Sequence, residues 1–179
     1  AVASDYKLPS GKYLKNSRFE QNAIKFSLAH KFNRLQNIFR YQLHNETVGI
    51  PAHLHTNDPY SADINSTSIT TEELDFSEAY NVLRPNQFVK NQLFTYKTNY
   101  FINNLKFSLH AGHFINNLEE WEKTFFPAFD LTITHTQISP NLRYRHNDLT
   151  VTVGSQISDF ENKNNYSERL VPDATSVNI

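Results

Sequence analysis

Sustained alternation of apolar and polar residues, broken by tight Asn-rich turns, constrains this chain more than any other feature. From Phe94 onward, Phe94, Tyr96, Tyr100 and Ile102 hold every second position, with Thr95, Lys97 and Asn99 between them. After Asn103-Asn104 the pattern resumes as Leu105, Phe107, Leu109, Ala111, His113 and Ile115 against Lys106, Ser108, His110 and Gly112. A helix would repeat at about 3.6 residues, so this spacing predicts strands. Asn tolerates the left-handed region better than most residues, which makes Asn103-Asn104 a two-residue hairpin turn with positive φ.

Two further pairs repeat the plan. Ile24, Phe26, Leu28 and Phe32 alternate with Lys25, Ser27, Ala29 and Lys31, turn through Asn33-Arg34, and return as Phe39, Tyr41 and Leu43 against Arg40, Gln42 and His44. In the third pair Phe129, Leu131 and Ile133 are odd, whereas Ile138, Leu142 and Tyr144 are even. That shift predicts a bulge or kink between Thr134 and Ile138, aided by Pro140. Beyond Asn147-Asp148 the alternation continues through Leu149, Val151, Val153 and Ile157.

The connections at the other end are long and polar: about 49–86, then roughly Asn116 to Pro127 and Asp159 to Ser176. Loops beyond about 12–15 residues are uncommon in compact domains, whereas short turns at one end and long loops at the other are normal for outer-membrane barrels. The expected fold is therefore all-β, an antiparallel up-and-down meander forming part of a transmembrane β-barrel wall. Residues 1–179 supply about six strands and the opening of a seventh at Ser176–Ile179. A soluble antiparallel sandwich also alternates, but it buries its apolar face against a second sheet.

Composition bounds the function. The chain has 179 residues and a formal net charge of -1, with a mean hydropathy of -0.57. There is no basic excess suited to nucleic acid, and no apolar run approaches the roughly 18 residues of a membrane helix. The absence of Cys removes disulfides, thiolate metal sites and a cysteine nucleophile. No Met is present, so the chain is expected to begin after a processing event or to be a piece of something larger; no signal peptide is visible. Ala1 to Asn16, with Pro9 and Gly11, reads as loop.

Four phrases carry a family resemblance: Asn16-Ser17-Arg18-Phe19-Glu20 before the first strand, Gly49-Ile50-Pro51 entering a long loop, Asn116-Asn117-Leu118-Glu119 after a strand, and Leu170-Val171-Pro172-Asp173-Ala174-Thr175 before another. They resemble the barrel of bacterial TonB-dependent outer-membrane receptors. The resemblance implies a location in the bacterial outer membrane, contact with its lipid, and energised uptake of a small-molecule or metal-complex cargo such as a ferric siderophore. It also implies partners outside this chain: the remainder of the barrel, a plug domain, and TonB reached through that plug. The family offers no catalytic residue and no cofactor.

Site residues must come from this sequence. In the long loop, His53 and His55 would point the same way if extended, and with Asp58 they suit a transition metal or a metal-complex cargo; solvated loop residues read the same way. The His-x-His also resembles the first motif of cupin metal enzymes, with His110 or His113 as a third imidazole, but the Glu and the second motif of that pattern are missing. Trp121, with Phe125 and Phe126, would give a carbohydrate-binding sandwich its stacking platform, or else pack a loop onto a rim. No protease, phosphate-loop or nucleophile-elbow motif is present, so an enzyme is not expected. Under the barrel reading Phe26, Leu28, Phe94, Tyr96, Phe107 and Leu109 face lipid. Lys25, Lys31, Arg40, Lys97, Lys106, Arg143 and Arg145 face the lumen, where they attract anions.

Overall fold

A computed structural model describes residues 1–51, 73–74, 80–122, 126–164 and 174–178. In chain order the strands are β1 Val2–Ala3, β2 Tyr6–Lys7, β3 Tyr13–Leu14, β4 Phe19–Phe32, β5 Leu35–Gly49, β6 Glu73–Leu74, β7 Asn86–Ile102, β8 Leu105–Trp121, β9 Phe129–His146, β10 Leu149–Gly154, β11 Gln156–Asn164 and β12 Ala174–Asn178. No helix occurs among them. The main sheet runs β1-β4-β5-β7-β8-β9-β11-β12 with β10 also on β9, an antiparallel meander as the alternation predicts. Its two ends do not pair among the described residues.

The chain divides into two compact units. One comprises 1–22, 46–88 and 119–129, the other 23–45, 89–118 and 130–179.

In the second unit the turns are the points of local control. Asn33, Asn103 and Asn147 each take φ 48, and each is the first of two residues between strands. The second residues, Arg34, Asn104 and Asp148, stay out of the positive region. One positive φ at the first central position is the φ signature of a type II′ turn rather than the doubly left-handed I′. The first two turns are also tied to the next hairpin: Phe101 N–H donates to the Arg34 carbonyl at 3.0 Å, and Arg145 N–H to the Asn104 carbonyl at 2.9 Å. Both donors lie two positions before the following turn, so successive hairpins overhang in one direction. Two residues of about 3.3 Å over two strand spacings of about 4.8 Å correspond to a tilt of about 35°.

The expected bulge in β9 is not there. Pairing runs one for one from Leu149↔His146 to Gly154↔Asn141 on β10, and from Ile157↔Ile138 to Asn164↔Leu131 on β11. With no extra residue, the odd-to-even shift instead means that Leu131 and Ile133 occupy the opposite face of a regular strand. Pro140 acts on its neighbour. Ser155 N–H donates to the Pro140 carbonyl at 3.1 Å, Pro140 has no N–H to return, and the partner strand is divided there into β10 and β11.

The second and third connections are shorter than expected, because strands continue past their apolar stretches. β8 reaches Trp121 and β9 begins at Phe129; β11 reaches Asn164 and β12 begins at Ala174. β7, β8 and β9 have 17, 17 and 18 residues.

Nor is the N-terminal stretch plain loop. In the first unit β1 pairs with β4 through Val2↔Glu20 and Ala3↔Phe19, and β2, β3 and β6 form a small antiparallel sheet. The same unit contains a polar hub. Buried Arg18 donates from Nε and Nη2 to Asp5 Oδ2 at 2.9 and 2.8 Å, and from Nη1 to the Asn81 carbonyl at 2.9 Å. Asn16, at φ 60, donates to the Pro85 carbonyl at 2.7 Å and accepts from Leu83 N–H at 3.2 Å. Gly49 is required beside it, since a Cβ there would overlap the Asn16 carbonyl.

Candidate cationic face

Side-chain contacts assign the strands of the second unit to two faces. On one, Phe26 meets Phe39 with ring centroids 6.4 Å apart, Tyr41 meets Phe94 at 4.7 Å, and Phe94 meets His113 at 6.4 Å. His113 Nδ1 then bonds Thr136 Oγ1 at 2.8 Å, and Ile138 faces Ile157. This face is apolar along Ile24–Phe32, Leu35–Leu43, Phe94–Ile102, Leu105–Ile115, Ile138–Tyr144 and Leu149–Ile157. Most of these runs have roughly the 9–11 residues that a tilted strand needs to cross hydrocarbon. On β5, β7, β8, β9 and β11 the same face turns polar at Asn45, Gln92, Asn117, Thr136 and Asp159.

The apolar face is uncovered. Phe26 is 52 % exposed, Leu28 59 %, Phe32 64 % and Val153 63 %, whereas Leu131, on the other face, is the one large hydrophobic residue buried among those described, at 5 %. Some of the polar groups on it pair with one another: Tyr96 Oη donates to Asn37 Oδ1 at 2.8 Å and Tyr41 Oη to Gln92 Oε1 at 3.3 Å.

The opposite face carries the cations. Lys25, Lys31, Arg40, Lys97, Lys106, Arg143 and Arg145 alternate onto it, and residues 23–45 and 89–118 contain no Asp or Glu at all. Further along, Asp130, Asp159 and Glu161 fall in phase with the apolar series, and Asp148 sits in a turn. Among the described residues no ion pair forms on any of the seven cations named. Lys106 Nζ lies 5.6 Å from the Phe101 ring centre, and a buried Ser108–Asn99 hydrogen bond of 2.9 Å braces the β7–β8 pair between the lysines.

Depressions join these groups. One of about 450 Å³ is lined by Arg40, Thr95, Lys97, His110, His135 and Gln137. The next, about 340 Å³, shares Lys97 and His110 with it and adds Lys106, Asn141, Arg143 and Thr152. A third, about 500 Å³, takes in Lys106, Arg143 and Arg145 near the turns. The alternation named the cations in advance. Thr152, opposite Arg143 in the β9–β10 register, follows from the alternation of Leu149, Val151 and Val153; Asn141 was missed, its only signal being that it keeps phase with Arg143 on β9.

Of the other sequence candidates, His110 lies on this face and lines two of the depressions. His53, His55 and Asp58 lie outside the described residues. Trp121, at the end of β8 in the first unit, donates from Nε1 to Glu119 Oε2 at 2.8 Å, and the Arg84 guanidinium lies 4.6 Å over its ring. One ring face is thus occupied by a cation rather than open to a sugar; Phe125 is outside the described residues and Phe126 is exposed. His110 and His113 point to opposite faces, and no group of three metal-binding side chains occurs among the described residues. No family model, curated protein or solved structure matches the chain.

Proposed function

We propose that this chain is a stretch of the transmembrane wall of a TonB-dependent receptor in a bacterial outer membrane, and that the whole protein takes up a small-molecule or metal-complex cargo such as a ferric siderophore. The observation that carries the barrel reading is the uncovered apolar face. In water, exposure of Ile24, Phe26, Leu28 and Phe32 along one strand would be a severe solvation defect, because a sandwich or cupin buries that face. In a bilayer it is the required surface. Three further features support the reading: the tilt of about 35° from the turn overhang, close to the roughly 35–45° of membrane barrels; the polar limit of the apolar face on successive strands; and local pairing of polar groups within it. The receptor class rests on the four sequence phrases that resemble the family, and energy coupling would reside in the plug.

Spin labels at positions 26 and 27 in lipid vesicles test the wall directly. Position 26 should be accessible to oxygen dissolved in the bilayer and shielded from a water-soluble nickel reagent, with position 27 showing the reverse. A label at 26 sequestered inside a protein core ends the barrel reading.

A further inference from the structure

Resting on the membrane-wall reading, we propose that the polar face between β7 and β10 is a contact site for a small polyanion, a single molecule bearing several carboxylate or phosphate groups. Lys97, Lys106 and Arg143 converge on one depression of about 340 Å³, a size within the range of small-ligand sites. Among the described residues none of the three has an ion-pair partner. Like charges gathered without a carboxylate repel one another, and the repulsion is relieved when an anion enters. The groups around them suit that entrant: the Asn141 amide, the Thr152 hydroxyl and the His110 ring can each donate a hydrogen bond, and charge-assisted bonds from guanidinium and ammonium are the stronger kind.

The neighbouring geometry keeps the site shaped for this. Ser108 is buried and spends its hydroxyl proton on Asn99, fixing the strands that carry Lys97 and Lys106. Gly154 has no Cβ, which would overlap Asn141 Oδ1, so the amide can lie across the gap in the partner strand. The volume favours a small molecule over an acidic polypeptide.

The test uses the full chain in zwitterionic lipid vesicles, with tripolyphosphate and citrate as separate probes and a polyglutamate peptide as a third. Expected is saturable binding of tripolyphosphate, citrate or both, weakening as salt is raised. Lys97→Gln, Lys106→Gln and Arg143→Gln should each weaken it by about tenfold or more, the triple variant should abolish it, and Lys163→Gln on the other face should leave it unchanged. No binding of either small probe, binding that survives the triple substitution, or polyglutamate bound at least tenfold more tightly than both would each overturn the proposal. A spin label at position 26 in the same vesicles separates the two readings. If it reports lipid and no anion binds, only the polyanion site fails; if it does not report lipid, the wall reading fails and the site falls with it.

Discussion

Asn103 shows how a single residue sets register here. At φ 48 it occupies a region that costs most L-residues about 1–2 kcal/mol, and a slip of one position would exchange the two faces of both strands. Asn103→Gly should therefore fold as well as the parent, while Asn103→Val should lower stability by about 1–2 kcal/mol in urea titrations of the vesicle-inserted chain. Equal stability of the two variants would refute the turn assignment. These turns were legible because Asn-x between alternating runs has a local cause. Asp5, Asn16 and Arg18 were not, since nothing near Asp5 in sequence announces a partner 13 positions away. For this buried pair, removing one partner strands the other: Asp5→Ala should cost about 3–5 kcal/mol, and adding Arg18→Met should recover much of it. Hydrogen exchange of residues 1–22 provides the measurement, and a double variant no better than the single would count against the charge explanation.

At the scale of elements, period two located the long strands and their two faces, but it placed the strand ends too early. Alternation fades where a strand leaves its apolar surroundings, yet backbone pairing continues, which is why β8 runs on through Asn116-Asn117 to Trp121. The same limit produced the expected bulge in β9: a change in which face is apolar and an inserted residue look alike in one strand, and only the pairing partner separates them. Because Pro140 alone prevents the second bond opposite Ser155, Pro140→Ala should join β10 and β11, with the new amide at 140 exchanging slowly; rapid exchange there would show that the break has another origin. Environment can be tested on β4. Leu28→Arg should destabilise the inserted chain by about 2–4 kcal/mol, as a cation does near a bilayer midplane, whereas Ser27→Arg on the polar face should change it by less than about 1 kcal/mol. Similar small effects from both would place both side chains in water.

For the molecule as a whole, the decisive quantity is what covers the edges of the main sheet. β1 pairs with only the first residues of β4, and β12 pairs with β11 on one side; beyond them, among the described residues, the edge amides and carbonyls of β4 and β12 have no strand beside them. In water such an edge is an aggregation hazard; in hydrocarbon each unsatisfied group costs several kcal/mol, so open edges do not persist there. About eight strands are the smallest set that closes around a filled interior, more than the long strands here provide. On the membrane-wall reading, strands from outside this chain or another copy of it would complete the ring. Because the chain contains no Cys, introduced thiols report on this without background: with Ala29→Cys on β4 and Ser176→Cys on β12, mild oxidation of the chain alone in vesicles should give covalently linked oligomers, and the single variants should give dimers at most. A monodisperse monomer that spans the bilayer, resists linking and shows slow exchange along both edges would mean that the chain satisfies its own edge groups, and the requirement for added strands would be withdrawn.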